Sequence, residues 1–295
     1  MPATAWSDTD LPACSVIIPT IRRPGPLAEC LRSLAESDYP AEKLEVIVVD
    51  DGGGSEDDGV ASVDRRLEVS ILRSRKAGPA AARNAGAARA GGEILAFTDD
   101  DCRVSRGWLM HLARVIGGNG ELAAGGHTVN ALEGNRWSSA SQGIIDVVYR
   151  HYNDADGHAK FLTTNNLAVP ARAFHEVGGF DDTFKTAEDR DFCRRWRMRG
   201  LGLKYEPEAL VFHAHSLTFA GFVRQHFAYG RGAFRYHFGS NSPTSDEFQT
   251  VTGFYRSLPR LVRRENIVDI ALWQAANGAG FAWEAIKTLG VRATK

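Results

Sequence analysis

Apolar residues recur along this chain in two rhythms, and the two alternate. Ser15-Val-Ile-Ile-Pro19 is a short β-branched run with the look of a buried strand. Pro24 and Pro26 follow, and Leu27, Leu31 and Leu34 then recur at helical spacing beside Cys30, which predicts a helix with proline in its first turn. Leu44 to Val49 predicts a second strand, stopped by Asp50-Asp51 and the glycines after them. Leu67 to Leu72 alternates weakly as a third. Pro79 to Ala90 is rich in alanine, opens on a proline and closes on Gly91-Gly92, so both of its ends carry helix signals. Glu93 to Thr98 predicts a fourth strand, which runs into Asp99-Asp100-Asp101. This succession predicts an open, mainly parallel α/β sheet, in which ligands gather at the carboxyl ends of the strands. Acids stand just past two of those ends.

The second half is less regular. A strand is predicted near Leu122 to Val129, another over Phe161 to Val169, a helix over Glu188 to Arg199, and two short strands at Leu203 to Tyr205 and Ala209 to Phe212. Asn130 to Lys160 mixes aromatic and polar residues and receives no assignment. From Leu217 the pattern is helical and basic, with a polar break at Gly239 to Asp246. No internal repeat is evident.

The 295 residues are enough for one large α/β domain or two lobes sharing a core. With 43% hydrophobic and 24% charged residues, global disorder is excluded. The net charge of -1 supplies no general field for nucleic acid, so none is expected as a partner. Cys14, Cys30, Cys102 and Cys193 lie far apart without CxxC spacing, which reads as reduced thiols. Met1 to Asp10 carries acids and no apolar run of the secretory kind. Ile270 to Trp283 is too short for the roughly 20 apolar residues of a membrane span. A cytoplasmic protein is therefore expected.

The aspartate triplet is the first candidate for chemistry. Mg²⁺ and Mn²⁺ prefer oxygen ligands and bind through one or two carboxylates plus substrate phosphates. A solvated acidic turn is the plain alternative, and a second acidic strand end nearby favours the metal. In Gly78 to Gly86, a helix N-terminus and Arg83 one turn in could meet an anion; alone, this reads better as a packing helix with Arg83 toward solvent. Glu188-Asp-Arg-Asp191 offers a carboxylate for general-base work, followed by arginines 194, 195, 197 and 199 that mostly suit ion pairs along a helix. His213 and His215 project to one side if extended; one could complete a metal site, or both could be structural.

Taken in order, SVIIPT, VIVVDDGG, GPAAARNAGAARAGGEILAFTDDD, TTNNLAVPARAFHEVGGFDDTF and AEDRDFCRRWRMRG, spread over about Ser15 to Arg231, resemble the family 2 glycosyltransferases. The resemblance implies a GT-A fold, a Rossmann-like open mixed sheet flanked by helices, with a C-terminal helical extension. It divides the chain into a nucleotide-sugar-binding part (1–120), an acceptor and catalytic-base part (121–240) and the extension (241–295). It implies an inverting transfer from a nucleotide diphosphate sugar to an acceptor hydroxyl, on a glycan, a lipid-linked sugar or a small molecule. Pro19, Thr20, Asp50, Asp51, Arg83, Asp99 and Asp100 are then expected at the nucleotide. Asp99 and Asp101, as a DXD pair, and His213 are expected at Mg²⁺ or Mn²⁺. Asn165, Asn166, Gly179 and Arg224 would meet sugar or acceptor, and Asp189, beside Glu188, would be the base.

Two departures stand out. Thr20-Ile21-Arg22 replaces the aromatic and asparagine frequent after the first strand, so no ring is offered to a nucleobase there. Phe222 to Gly232 lacks the Gln-x-x-Arg-Trp run of processive synthases, which favours single-sugar transfer. A sugar nucleotidyltransferase would need a glycine-rich phosphate loop in Pro19 to Pro26, which has one glycine. A non-catalytic sugar-nucleotide scaffold would need no base, and a dinucleotide oxidoreductase would show GxGxxG after the first strand. Arg256, Arg260, Arg263 and Arg264 precede an apolar segment with Trp273 and Trp283. That pattern suits either peripheral contact with the inner face of an anionic membrane or packing on the core or a partner subunit. Oligomeric state is left open.

Overall fold

The computed structural model describes residues 11–52, 67–74, 77–118, 120–153, 157–239, 253, 254, 256, 258 and 267–293. Eight strands form one sheet: β1 (Cys14–Thr20), β2 (Leu44–Asp50), β3 (Glu68–Arg73), β4 (Ile94–Phe97), β5 (Cys102–Val104), β6 (Leu122–Asn130), β7 (Leu167–Pro170) and β8 (Gly202–His213). The helices are α1 (Pro24–Ala35), α2 (Pro79–Arg89), α3 (Trp108–Ile116), α4 (Arg136–Tyr152), α5 (Ala171–Val177), α6 (Glu188–Met198), α7 (Phe219–Phe238) and α8 (Ile267–Ala293). They fall into two compact units that are not contiguous in sequence. The first comprises Met1–Ala131, Asn153–Thr183 and Asp189–Ala214; the second comprises Leu132–Tyr152, Phe184–Glu188 and His215–Lys295.

The first unit holds the sheet, in the order β3-β2-β1-β4-β7-β6-β8-β5. The pairs β1–β2, β2–β3, β1–β4 and β6–β8 are parallel, whereas β4–β7, β6–β7 and β5–β8 are antiparallel, so the sheet is mixed. From β1 the chain first builds outward through β2 and β3, then returns to place β4 on the opposite side of β1. The carboxyl ends of β1 and β4 therefore flank the point where strand order reverses, which is where open α/β sheets leave a crevice for ligand.

Strand alternation sorts the core into two layers, since successive side chains point to opposite faces. Val16, Ile18, Val46, Val48 and Ala96 join the apolar stripe of α1 (Leu27, Cys30, Leu31, Leu34) and Trp108, Leu112 and Ile116 of α3 in one buried core. On the other face lies α2. A Cβ at Gly86 would stand 2.6 Å from Ile17 Cγ2 and 3.1 Å from Val49 Cγ2, so only glycine lets this helix approach so closely. The alanines flanking it, Ala80, Ala82 and Ala87, are buried for the same reason.

Two expectations are corrected and one unassigned segment is filled. Phe161 to Val169 is not one strand: Thr164–Asn166 forms a 3₁₀ turn, and only Leu167–Pro170 joins the sheet. The two short strands after Gly202 are one of 12 residues, and Pro207 is accommodated beside a register shift between Gly126 and His127 on the neighbouring strand. The unassigned Asn130 to Lys160 contains α4, whose buried Ala140, Ile144, Val147 and Val148 lie at helical spacing.

The second unit is helical. Asn135 caps α4, its Oδ1 accepting from the backbone N–H groups of Trp137 (3.1 Å) and Ser138 (3.0 Å), and Thr218 caps α7 by accepting from Gly221 N (3.1 Å). Helices α7 and α8 meet backbone to backbone at Gly230 and Gly280, and Glu284 of α8 accepts from Arg231 (2.7 Å) and Arg235 (2.8 Å) of α7. Trp283, Ile286 and Leu289 of α8 are exposed. Among the described residues no helix is long and apolar enough to cross a membrane. Arg260, Arg263 and Arg264, on which the membrane-contact expectation leans, lie outside the described residues.

His226 of α7 is buried against the rings of Phe222 and Tyr229, and neither ring nitrogen has a hydrogen-bond partner among the described residues. Burial lowers its pKa from 6.5 to about 4. The imidazole thus stays neutral in the folded chain, while the unfolded chain takes up a proton below pH 6.5. The stability this neutral group provides is complete above that pH and is lost as pH falls toward 4. The loss amounts to about 2 kcal/mol by pH 5. Urea titrations from pH 7.5 to 5 should show the midpoint falling in the wild type and a flatter profile in His226→Phe. Parallel profiles would contradict this assignment.

Candidate functional site

The site is built where β1 and β4 end. Thr20 closes β1, and its Oγ1 donates to Asp100 Oδ2 at 2.6 Å. Asp100 is 0% exposed. Arg23, just before α1, donates through Nε to Asp100 Oδ2 (3.0 Å), through a second nitrogen to Asp100 Oδ1, and through NH1 to Asp101 Oδ2 (2.9 Å). Burial, with Asp101 and Asp99 beside it, pushes the Asp100 carboxyl above its ordinary range against the opposing pull of Thr20 and Arg23. Arg83 of α2 donates to Asp99 Oδ1 at 2.6 Å. The expectation that Arg83 faces solvent is corrected, since it is buried against this acid.

Sheet topology brings in the histidine. Antiparallel pairing of β5 with β8 sets Cys102 opposite His213, and Ala214 N donates to Asp101 O at 2.8 Å. His213 Nε2 consequently lies 3.2 Å from Asp101 Oδ1. The ligand atoms of Asp101, Cys102 and His213 all lie within 4.8 Å of one another. Burial and the neighbouring Asp99 and Asp101 raise the Cys102 thiol well above its ordinary value, so it remains a protonated, weak donor. Carboxylate oxygens and one imidazole remain, a donor set that suits Mn²⁺ and, with less nitrogen, Mg²⁺. Asp99 is part-exposed and paired with Arg83, and it is not among the three residues whose ligand atoms come together. His215, in the second unit, instead contacts Gln225 Oε1 through Nε2 at 2.9 Å.

The other acidic strand end is used for loop building. Asp50 Oδ1 accepts from Gly52 N (2.8 Å), while Asp51 accepts from Ala77 N (2.9 Å) and Gly78 N (2.8 Å), which fixes the loop entering α2. Pro19 is half-buried beside Thr20. Of the residues expected at sugar or acceptor, Asn165 is part-exposed and accepts from Thr163 Oγ1 at 2.7 Å. Asn166 is 0% exposed. Its Oδ1 accepts from Trp108 Nε1 (2.8 Å) and its Nδ2 donates to His127 O (3.1 Å) and Ala209 O (2.9 Å), so it ties α3, β6 and β8 together in the core. Gly179, at φ +63°, lies against Asn84, whose amide both donates to Phe180 O and accepts from Phe180 N. Arg224 is exposed on α7 in the second unit.

The pair Glu188-Asp189 opens α6, where a helix N-terminus favours negative charge. Glu188 is buried and Asp189 half-buried, with its Oδ1 accepting from Arg190 N at 2.8 Å. A column of rings connects α6 to the end of β4. Phe97, two residues before Asp99, packs on Phe174 and Phe180, and both pack on Phe192, three residues beyond Asp189. Asp191 is structural: it is 0% exposed and accepts from Arg194 (3.0 Å) and Arg195 (2.6 Å), the latter also donating to the carbonyls of Val177 and Gly179. Sequence reasoning missed Arg23. The signal was the Arg22-Arg23 pair that follows one residue after the first strand.

A sequence model of Glycosyl transferase family 2 matches residues 15–178. The chain is 31% identical over 195 residues to the pre-mycofactocin glycosyltransferase of Mycobacterium tuberculosis, which covers 64% of this chain and 42% of that protein. It thus spans less than half of that relative's length. Glycosyltransferase AglE of Haloferax volcanii is 26% identical over 75% of this chain and 73% of its own length. Among solved structures, the mannosyltransferase PcManGT from Pyrobaculum calidifontis, in complex with GDP-Man and Mn²⁺, superposes with a TM-score of 0.63 at 19% identity. That match covers 100% of this chain and 83% of the other, and it establishes the GT-A fold.

Replacing Asn166 by alanine removes its three hydrogen bonds, to Trp108 of α3, His127 of β6 and Ala209 of β8. A loss of about 3 kcal/mol is expected, read as a lower urea midpoint with unchanged slope. A wild-type midpoint would mean that Asn166 does not bracket the core.

Proposed function

Because this chain belongs to glycosyl transferase family 2, we propose that it moves a single sugar from a nucleoside diphosphate donor to an acceptor hydroxyl, with inversion at the anomeric carbon. The observation that carries this reading is the convergence of Asp99, Asp100 and Asp101 with Thr20, Arg23, Arg83 and His213 at the strand-order reversal. A pyrophosphate needs such a place, where fixed cations and a carboxylate-bound ion can face it across a crevice. Mg²⁺ or Mn²⁺ on Asp99, Asp101 and His213 would supply electrostatic stabilisation of the charge that grows on the departing diphosphate.

The protein's own groups supply the remainder. Arg83, anchored on Asp99 at the first turns of α2, holds positive charge near the helix N-terminus, where an anion is favoured. Asp189 is the general base. It takes the proton of the acceptor hydroxyl as that oxygen bonds to the anomeric carbon, while the bond from that carbon to the diphosphate oxygen breaks and its electron pair leaves on the nucleotide. One displacement inverts the configuration. A glycoside hydrolase would instead flank the bond with two carboxylates and a water.

Two variants test this. Asp189→Asn should lower turnover by about 10²- to 10⁴-fold while calorimetric nucleotide affinity with Mn²⁺ stays within twofold. Near-normal release of nucleotide by that variant would remove Asp189 from the mechanism. Asp101→Ala should abolish the difference in nucleotide affinity between Mn²⁺ and chelator; an undiminished difference would place the ion elsewhere.

A further inference from the structure

Arg23 uses its guanidinium unequally, and the inequality has a use. Nε and one terminal nitrogen grip both oxygens of Asp100, a fully buried carboxylate also held by Thr20. The third nitrogen, NH1, makes a single bond to Asp101 Oδ2 at 2.9 Å, and the side chain is 47% exposed. Asp101 is shared from the other side, since its Oδ1 faces His213 Nε2. One carboxylate therefore has a guanidinium on one oxygen and His213, the other candidate ion ligand, on the second.

We propose that Arg23 is a donor-responsive residue. Its NH1 arm neutralises Asp101 while the site is free of ligand, and transfers to a phosphate oxygen of the donor once a divalent ion engages Asp101. The inference rests on the metal-and-diphosphate reading above. A dication and a guanidinium on the two oxygens of one carboxylate repel each other strongly at that separation. The arm held by one bond yields before the two that grip Asp100. A guanidinium arm freed beside a metal-bound diphosphate has its preferred anionic partner within its own reach. Arg23 thereby lowers affinity for the ion alone and raises affinity for the ion together with the donor.

Those effects have opposite signs, which a merely structural role would not produce. Mn²⁺ binding is measured alone by electron paramagnetic resonance, and UDP and GDP binding by calorimetry at saturating Mn²⁺, on wild type, Arg23→Ala and Arg23→Lys. The lysine variant keeps a cation over buried Asp100 and protects against loss of fold, which melting curves monitor. Mn²⁺ alone should bind about 3- to 10-fold more tightly to both variants, because a competing charge is gone or no longer spans both carboxylates. The nucleotide that wild type prefers should bind about 10- to 100-fold more weakly to Arg23→Ala, the scale of a charged hydrogen bond. Parallel loss of both affinities in the folded lysine variant, or no change in either, overturns the role of Arg23. Failure of wild type to bind Mn²⁺ and either nucleotide overturns the site reading itself, and this inference with it.

Discussion

The negative charge of three consecutive carboxylates at the carboxyl end of β4 is the constraint that organises the first unit. Asp100 and Asp101 are buried, and a buried charge without a partner is far more costly than any single contact can offset. Each acid is accordingly met by a group from elsewhere in the chain: Thr20 from β1, Arg23 from the approach to α1, Arg83 from α2, His213 from the end of β8. No two of these groups share an element. They meet because the strand order reverses between β1 and β4 and because β5 folds back on β8.

The packing around the acids follows from the same need. Arg83 reaches Asp99 only if α2 lies low on the sheet, and Gly86 with its flanking alanines provides that approach at Ile17 and Val49. The helical turn that looked like an undistinguished alanine-rich packing surface is what lets a guanidinium arrive beside the site with 3% exposure. On the far side, rings from Phe97 through Phe180 to Phe192 hold α6 against the end of β4, and Asp191 with Arg195 fixes the Val177 to Gly179 turn. Asp189 is thereby carried on a helix whose own acid–base pairs are already satisfied by other residues.

What was legible in sequence was local. Strands β1, β2 and β4 are built on β-branched or apolar runs, and α1 and α2 carry proline starts, so pattern and propensity agree there. The acids at strand ends were legible because their position, rather than their number, marks a ligand crevice. The helix α4 was not, because Ser138, Ser139, Ser141, Gln142 and Gly143 dilute the stripe that Ala140, Ile144, Val147 and Val148 maintain. The core role of Asn166 was illegible for a different reason. An asparagine in a polar run invites a sugar, yet its amide is spent on Trp108, His127 and Ala209, partners 58, 39 and 43 residues away. Nothing in a local window reveals such distant bonds. Arg23 escaped similarly, since its acids lie 77 and 78 residues downstream.

The way the charge is balanced separates folding from metal binding. Where ligands are left uncompensated until an ion arrives, as in small zinc domains, binding energy becomes folding energy. Here Arg23 and Arg83 supply two positive charges to three carboxylates, and Thr20 adds a hydrogen bond to the most buried of them. The first unit can therefore hold its acids in place without an ion. The same guanidinium groups are those best suited to phosphate oxygens. On the proposed reading, neutralising these acids and recognising a polyanion would be two uses of one pair of residues, and the cost of rearranging them would fall on the binding of ligand instead of on the fold.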